Sequence, residues 1–386
     1  MTSETVKGFR DIEGEEAQKR QEIREILSDV FQSYGYEYAE TPVIEYEEFV
    51  KGNNQNDEAV SDVFKLKDKG ERNLALRYEF TFQLKRLANG KKLPFKRYQI
   101  GEVFRDEPIG ANRFRQFTQC DIDIIGASSK DEAEILAVVK DGFQRLNIKN
   151  EIYVNNRKLI NEVLEANGIK SENKNSVMKE IDKLDKLSEK EVRDNLKKYN
   201  AEKIISALKN KESYFKKFQA YKEIEDLKKY CAYYNVKVIF RPFLVRGLSY
   251  YNGSVFEVKT KEMKETICAG GSYMVNNIQA TGISFGLDRL ASLAKIETKQ
   301  KKCLIISIDR DKESIKLAEK LRKMNIDCMI LFGKPSKALD YANSKKINYV
   351  VFIGDQEVKS KKYTLKDMKS GKESKLGEKE LVKRLS

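Results

Sequence analysis

The sequence contains no histidine and no tryptophan, and only five of its 386 residues are cysteines and five are prolines. The lack of histidine excludes Ser-His-Asp and Cys-His nucleophile systems, most zinc sites and histidine acid–base catalysis. Any catalysis must therefore use carboxylates, arginine, lysine, tyrosine, a magnesium ion or the substrate itself.

The cysteine count is odd, and no two cysteines form a CxxC motif. This pattern excludes a disulfide scaffold and a cysteine-based zinc site, and it indicates a reducing cytoplasm. The sequence also lacks any apolar run of about 18 residues, which argues against a membrane span. The polar N-terminal segment MTSETVKGFRDIEGEE has no apolar core, so we expect no secretory signal.

The length predicts two or three domains, and the formal charge of +14 favours a polyanionic partner. A lysine-rich surface without any partner would give the same total. Residues 303–386 carry 20 Lys and Arg against 12 Asp and Glu, a surplus of eight positive charges. The argument for a polyanion is therefore strongest for this last segment.

The order of predicted elements indicates an α+β protein with three kinds of segment. Residues 15–34 and 130–147 have the apolar spacing of amphipathic helices, and the β runs between them are separated by turns. Because no helix of crossover length joins those runs, an antiparallel sheet is favoured over a doubly wound parallel one. Residues 151–235 predict a helical insertion, and 303–386 alternate strands with helices, which is typical of a compact α/β domain.

The segment VFRDEPIGANRFRQFTQCDIDII, residues 103–125, carries the densest group of functional side chains. Alternate positions of two strands place arginines, an aromatic ring, an amide and carboxylates on one face, namely Arg105, Glu107, Arg113, Arg115, Phe117, Gln119, Asp121 and Asp123. Arginine suits phosphates, and an aromatic ring can stack on a purine. Asp123 lies among isoleucines, where a carboxylate is costly unless it meets a cation or a donor. A surface hairpin with ion pairs is the alternative interpretation.

Three further segments could contribute to a site. RPFLVRGLSYYNGSVFEV, residues 241–258, sets Arg246 beside two tyrosines at the start of a strand, as an anion site would require. GISFGLDRL places Arg289 at a helix start, which favours anions, although Arg289 could simply pair with Asp288. AGGSY, residues 269–273, allows either close backbone approach to a ligand or a turn. No phosphate-binding P-loop motif is present.

Taken together and in order, these segments resemble class II aminoacyl-tRNA synthetases, specifically histidyl-tRNA synthetases of the archaeal and eukaryotic kind. The resemblance covers nearly the whole chain. The segments that carry it are YGYEYAETPVIEY for motif 1, LRYEFT, KRYQIGEVFRDEP through RFRQFTQCDIDIIG for motif 2, LVRGLSYYNGSVFE for the histidine signature, GISFGLDRL for motif 3, and YVVFIGDQE in the C-terminal domain.

The resemblance implies a class II antiparallel sheet flanked by helices, a helical insertion and a C-terminal α/β anticodon-binding domain. It places the first part of the catalytic core at 1–150, the helical insertion at 151–235, the second part of the core at 236–297 and the anticodon-binding domain at 302–386. It also implies a homodimer that pairs through the motif 1 region.

The resemblance assigns roles to individual residues. Arg246 and Arg105 would stabilise the α-phosphate during amino-acid activation, with Arg246 replacing the metal ion of other class II enzymes. The ATP site would consist of Arg105, Glu107, Arg113, Phe117 and Arg289. The histidine site would consist of Glu79, Thr81, Gln119, Asp123, Tyr250 and Tyr251. No protein metal site is implied, and Mg²⁺ would bridge the ATP phosphates.

The implied reaction joins histidine to ATP as histidyl-adenylate and then transfers the histidyl group to tRNA(His), without any membrane partner. Two departures from the family pattern stand out. Ser249 replaces an aspartate, and Ser272 replaces an arginine in AGGSYMV. These serines keep open a synthetase-like protein that binds tRNA with an altered pocket. A regulatory paralogue without a tRNA domain is a further alternative, but the basic C-terminal segment and the retained Arg105, Arg246 and Arg289 argue against it.

Overall fold

A computed structural model describes residues 3–51, 62–110, 113–245, 250–296 and 303–385. The chain divides into two compact units, Met1–Ile296 and Glu297–Ser386. No helix within the described ranges is long and apolar enough to cross a membrane.

The first unit contains two sheets and eleven α-helices within its described residues. The strands are β1 Glu37–Tyr38, β2 Ile44–Tyr46, β3 Lys65–Lys67, β4 Asn73–Leu76, β5 Phe95–Phe104, β6 Gln116–Ile125, β7 Glu151–Asn156, β8 Val238–Phe240, β9 Ser254–Lys259, β10 Cys268–Val275 and β11 Ile278–Gly286. The helices that belong with these strands are α1 Gly14–Ser33, α2 Glu47–Lys51, α3 Leu84–Leu87, α4 Ser129–Arg145, α10 Tyr221–Tyr233 and α11 Leu287–Leu293.

The main sheet has eight strands in the order β1-β5-β6-β11-β10-β9-β7-β8. Five of its seven strand pairs are antiparallel, and the two parallel pairs, β1 with β5 and β7 with β8, lie at its edges. The predicted antiparallel sheet is therefore confirmed. Both long predicted helices are present as α1 and α4, within two residues of their predicted ends.

The two faces of the main sheet carry different kinds of side chain. On β6, Cys120, Ile122 and Ile124 are fully buried in a core shared with α1, α4, α10 and α11. Because successive strand residues point to opposite faces, Gln119 and Asp123 belong to the other face. The apolar face therefore anchors the sheet to the helices, and the polar face remains for a site.

The small sheet, in the order β2-β4-β3, comes from the motif 1 region and the segment after it. The segment YGYEYAETPVIEY forms two short strands, β1 and β2, on either side of Pro42, which cannot donate to a strand ladder and breaks the strand as its sequence predicts. The strand predicted at NLALRYEF ends at Leu76. Residues 77–81 instead form a loop and turn that enter the polar face of the main sheet.

The predicted insertion is helical, with a core of its own. Its helices are α5 Arg157–Ala166, α6 Lys174–Asp182, α7 Glu189–Leu196, α8 Ile204–Leu208 and α9 Glu212–Phe215, with short 3₁₀ turns at Ser171–Asn173, Lys183–Asp185 and Lys197–Tyr199. Leu159, Val177 and Phe215 are buried in that core. The first six residues of the segment predicted as helical, 151–156, are strand β7 of the main sheet. They form a strand because they pair with β8 on one side and with β9 on the other.

The second unit is a five-stranded mixed sheet with helices. Its elements are β12 Cys303–Ser307, α12 Asp311–Lys323, β13 Cys328–Phe332, α13 Pro335–Ser344, β14 Tyr349–Ile353, α14 Asp355–Ser360, β15 Tyr363–Asp367, β16 Glu373–Leu376 and α15 Glu378–Leu385. The strand order is β13-β12-β14-β15-β16, parallel in the first three and antiparallel in the last two. The α/β alternation is confirmed. The final hairpin and helix were not predicted, because their lysine-rich sequence hides the apolar spacing.

Candidate active site

Three arginines surround the start of the hairpin between β5 and β6. Arg105 follows β5, its Nε donates to the Tyr78 carbonyl over 3.1 Å, and its guanidinium carbon lies 5.1 Å from the centre of the Phe117 ring. Arg289 on α11 donates from Nη1 to the Thr266 carbonyl over 2.5 Å. Burial lowers the pKa of Arg289, and the charges of Arg113 and Arg105 lower it further. Fixed cations beside an aromatic plane suit a phosphate group joined to a planar base.

Arg113 and Glu107 form an ion pair across the hairpin. Arg113 donates from Nε to Glu107 Oε2 over 2.6 Å, and its Nη2 contacts the same oxygen. About half of the Arg113 side chain is exposed. The residue expected to meet phosphates and the residue expected to meet adenine therefore bind each other in the free protein. A nucleotide that bound both Arg113 and Glu107 would have to break this ion pair.

Asp123 has the cation and the donor that its apolar surroundings require. The Arg97 Nη2 atom on β5 lies 2.7 Å from Asp123 Oδ2, and the Tyr273 hydroxyl on β10 donates to Asp123 Oδ1. Arg97 is fully buried. Burial raises the pKa of the Asp123 carboxyl, and Arg97 and Tyr273 limit that rise. Neither Arg97 nor Tyr273 is among the site residues that the sequence predicts. An arginine in the apolar strand FKRYQI was the one available signal.

A glycine makes room for that carboxylate. Gly282 on β11 pairs with Asp123, and a β-carbon at position 282 would lie 2.1 Å from Asp123 Oδ1. The glycine pair of AGGSY lies inside strand β10, so the alternative of a turn is wrong. A β-carbon at Gly271 would lie 2.9 Å from the Tyr251 ring. These glycines let side chains of the pocket approach the sheet closely.

Three tyrosines form one side of the pocket. The ring centres of Tyr250 and Tyr251 lie 4.7 Å apart, and those of Tyr250 and Tyr273 lie 5.7 Å apart. Burial raises the pKa of Tyr250 and of Tyr273 well above the ordinary value, and the nearby carboxylates Glu79 and Asp123 act in the same direction. These phenols are therefore neutral at physiological pH and can donate hydrogen bonds.

The remaining predicted residues lie on the same face or beside it. Glu79 is buried, and its charge acts on Tyr250, while Thr81 is half-buried in the turn before α3. Gln119 donates from Nε2 to Ser284 Oγ over 2.9 Å. Its buried Oε1 has no hydrogen-bond partner among the described residues. Arg246 and Ser249 lie outside the described residues.

The serine at position 272 faces away from the pocket. Ser272 and Ser254 both donate to the Glu132 carboxylate on α4, Ser254 over 2.7 Å, and burial raises the pKa of Glu132. Since Tyr273 points into the pocket, its neighbour Ser272 points to the helix-covered face. Position 272, where this chain departs from the family pattern, therefore contributes to the contacts behind the sheet.

Asp288, the alternative partner considered for Arg289, belongs to another ion-pair network. Its Oδ1 lies 2.7 Å from Arg20 Nη1 and 3.3 Å from Arg10 Nη2, on and before α1. Asp288 also accepts from the Thr118 backbone N–H. The carboxylate thus ties α11 to α1 and β6, while Arg289 bonds the Thr266 carbonyl.

The chain is similar to known proteins along nearly its whole length. The family model for histidyl-tRNA synthetase matches residues 8–290, and the model for an anticodon binding domain matches residues 302–386. Histidine–tRNA ligase 2 of Shouchella clausii is 34% identical, over 96% of this chain and 97% of its own. Histidine–tRNA ligase 1 of Bacillus cereus is also 34% identical, over 97% of this chain and 95% of its own.

Solved structures share the fold. The histidyl-tRNA synthetase of Nostoc sp. PCC 7120 superposes with a TM-score of 0.87 at 25% identity, covering 100% of this chain and 99% of that one. An ATP phosphoribosyltransferase regulatory subunit/histidyl-tRNA synthetase from Bacillus halodurans superposes with a TM-score of 0.76 at 22% identity, covering 91% and 98%.

Proposed function

This chain belongs to the histidyl-tRNA synthetase family, and from that premise we propose that it activates histidine with ATP and charges tRNA(His). The observation that carries the proposal is the adjacency, on one face of the sheet, of a cationic cluster and a buried polar pocket. The cluster contains Arg105 and Arg289, and the pocket contains Gln119, Asp123 and Tyr273.

The charged and hydrogen-bonding groups of the pocket would complement those of histidine. Asp123 would accept a hydrogen bond from an imidazole N–H, and Arg97 would keep that carboxylate ionised. Tyr250 and Tyr251 would line the part of the pocket that holds the imidazole ring. Glu79 and Gln119 would bind the α-ammonium group, with Thr81 beside them; a buried carboxylate and an unpartnered amide oxygen suit a cation.

The cationic cluster fits ATP. Phe117 would stack on the adenine from one side and Arg289 would cover the other, while Glu107 would contact its edge. Arg105 would bind the α-phosphate and Arg113 the terminal phosphates, once ATP has replaced the Arg113–Glu107 ion pair.

The activation step would be an attack on ATP by the histidine carboxylate. One carboxylate oxygen bonds the α-phosphorus, the bond to the β-phosphate oxygen breaks, and pyrophosphate leaves with the electron pair. Negative charge gathers on the α-phosphate during this exchange, and Arg105 and Arg246 would stabilise it. In the second step a ribose hydroxyl at the 3′ end of tRNA attacks the carbonyl carbon, and AMP leaves. With no histidine in the protein, a phosphate oxygen of the substrate would accept the hydroxyl proton.

Any Mg²⁺ would be held mainly by the phosphate oxygens of ATP, where it would supply positive charge that offsets theirs. Magnesium prefers phosphate oxygens, water and one or two carboxylates over a cage built by the protein. The part of the chain that the structure describes contains no cluster of three or more Asp, Glu or Cys side chains that could hold a metal ion.

The domain roles follow from the family. Residues 1–150 and 236–297 would form the catalytic core, 151–235 the insertion, and 302–386 would bind the anticodon region of tRNA(His). The surplus of eight positive charges in 303–386 supports a polyanion there. The cysteines of the described residues are all free thiols, which suits the cytoplasm.

We also propose a homodimer paired through the motif 1 region. Six large apolar side chains between residues 38 and 93, three of them on strands β2 and β3 of the small sheet, are exposed, which favours a partner surface. They are Tyr38, Val43, Ile44, Tyr46, Leu66 and Leu93.

The test is amino-acid-dependent exchange of labelled pyrophosphate into ATP, with histidine and then with the other amino acids. We expect exchange with histidine alone. Arg246→Ala should reduce kcat by at least about 100-fold, because removing one charge-stabilising donor has effects of that order. Absence of exchange with every amino acid, from folded protein, would overturn the enzymatic proposal in favour of a tRNA-binding or regulatory paralogue.

A further inference from the structure

A buried carboxyl group lies between two of the expected histidine ligands. Asp121 occupies the position on β6 between Gln119 and Asp123, on the same face, and only 5% of it is exposed. Asp121 lies directly opposite Ser284 in the pairing of β6 with β11, where the Ser284 hydroxyl can donate to its carboxyl, and its Oδ1 is buried without a hydrogen-bond partner among the described residues. The family-based assignment of roles leaves Asp121 and Ser284 without any.

The direction of the hydrogen bonds joins these residues into a chain. Gln119 Nε2 can only donate, so Ser284 Oγ accepts from it over 2.9 Å. The Ser284 hydroxyl proton is then available to Asp121, whose carboxyl oxygen accepts it whether the group is ionised or neutral. The consequence is that the other end of the Gln119 amide, Oε1, is left as a buried acceptor without a partner.

We propose that Asp121 and Ser284 are positioning residues that hold the Gln119 amide with its oxygen directed at the α-ammonium group of histidine. This inference rests on the proposed function, in which Gln119 binds that group. Without the chain, the amide can rotate by half a turn and present its NH₂ group to the ammonium. Two donors then face each other, and the hydrogen bond is lost.

The charges around Asp121 support a cation in this place. The groups that act on it are Asp123 beside it on β6, Glu79 from the loop after β4, and Arg97 on β5. Three carboxyl groups against one guanidinium leave the region acidic. Burial, with help from Asp123, raises the pKa of Asp121 to about 8. The positive charge of a bound ammonium group would favour the ionised form of Asp121. The ionised carboxylate would then accept a stronger hydrogen bond from Ser284.

The test compares two ligands that differ only in the amine, namely histidinol and 3-(imidazol-4-yl)propan-1-ol. Their dissociation constants are measured by calorimetry on the full chain. Ser284→Ala should raise the dissociation constant of histidinol by about tenfold, the size expected for one hydrogen bond to a charged group. It should change the dissociation constant of the amine-free ligand by less than about twofold. Ser284→Thr keeps the hydroxyl and should restore most of the histidinol affinity.

A double-mutant cycle shows whether Ser284 acts through Gln119. Gln119→Ala should weaken histidinol, and adding Ser284→Ala to it should cause no further loss. Asp121→Ala, which removes the acceptor, should reproduce the Ser284→Ala loss, whereas Asp121→Asn keeps an acceptor oxygen and should lose less. Asp29→Asn, an exposed aspartate on α1, is the matched control and should bind both ligands as the wild type does.

Two results would overturn the inference. One is an equal loss of both ligands in Ser284→Ala, which would indicate a general disturbance of the pocket. The other is additive losses in the cycle, which would show that Ser284 acts independently of Gln119. A wild-type protein that binds neither ligand would overturn the proposed function as well, so the two failures are distinguishable.

Discussion

Buried charges determine the residue-scale chemistry of the pocket. Arg97 and Asp123 form an ion pair inside the sheet, and Asp121 lies beside them with a pKa of about 8 instead of its ordinary 3.8. Such groups stabilise a fold little, because desolvation offsets much of their attraction. Their presence therefore fits a requirement of ligand binding better than one of stability.

Asp121 should make stability depend on pH. A carboxyl group with a raised pKa in the folded state stabilises the fold below about pH 4, and this contribution is lost as the pH rises through about 8. Over this window the free energy of unfolding should fall by about 1.4 kcal/mol per pH unit relative to Asp121→Asn, which cannot ionise. Urea denaturation of both proteins at several pH values measures the difference.

The variant leaves Asp123, Glu79 and Arg97 in place, so their titration cancels in the comparison. Asp29→Asn should show the same pH dependence as the wild type, since Asp29 is exposed. Parallel curves for the wild type and Asp121→Asn between pH 4 and 8 would contradict the raised pKa.

Gly282→Ala tests how closely the pocket is packed. The new β-carbon would lie 2.1 Å from Asp123 Oδ1 and 2.8 Å from the Ile122 carbonyl, so Asp123 or the strand must move. We expect a loss of about 1–3 kcal/mol in stability, as for other overpacked sites, and a higher KM for histidine with a smaller change in the KM for ATP. Thermal denaturation and exchange kinetics check both.

Gly70→Ala is the matched control, because its β-carbon would come no closer than 3.4 Å to any atom and the loop there is exposed. It should match the wild type in stability and in both KM values. Equal effects of the two substitutions would mean that the contact with Asp123 is unimportant.

At the scale of elements, the small sheet has exposed apolar side chains among its described residues. Ile44 and Tyr46 on β2 are each about half exposed, and Leu66 on β3 is also exposed. Strands with exposed apolar residues and open edges invite pairing with another chain. This arrangement supports the proposed dimer contact.

Ile44→Asp should therefore weaken the dimer, because it would bury a charge in an apolar contact. Sedimentation velocity should show a shift toward monomer at micromolar concentration, with little change in the circular dichroism of the fold. Tyr233→Asp, at a more exposed apolar residue on α10, is the control and should leave the association unchanged. An unaltered dimer in Ile44→Asp would place the interface elsewhere.

At the scale of the molecule, the two units have separate hydrophobic cores. The first unit buries its main cluster between the eight-stranded sheet and its helices, and the second buries clusters on both faces of its own sheet. Each unit therefore has the apolar burial that an independent domain requires. Amino-acid activation would belong to the first unit, and the second would contribute to binding tRNA.

A chain of residues 1–296 should keep histidine-dependent pyrophosphate exchange within about threefold of the full chain, since every residue of the proposed pocket lies within it. Its affinity for tRNA should fall, and the rise of log Kd with log salt should become less steep, because the phosphate contacts of the second unit are gone. Filter binding at several salt concentrations between about 50 and 200 mM measures this slope. An unchanged salt slope would mean that the second unit does not bind tRNA.

The sequence by itself determined the class of the fold, the alternation that puts Gln119, Asp121 and Asp123 on one face, and the need of Asp123 for a partner. These features are local, because they depend on periodicity and on residue type within one strand. The shorter strand at NLALRYEF and the strand inside the predicted insertion could not be read reliably, since neighbouring strands decide where a ladder ends.

Only the tertiary structure decided the partners. Arg97 on β5 and Tyr273 on β10 meet Asp123 because β5 and β11 flank β6 and β10 lies next to β11. Ser284 reaches Gln119 for the same reason, and Ser272, one residue from Tyr273, meets Glu132 behind the sheet. These contacts join residues far apart in the chain, so they depend on strand order and register, which a single sequence does not encode in any local pattern.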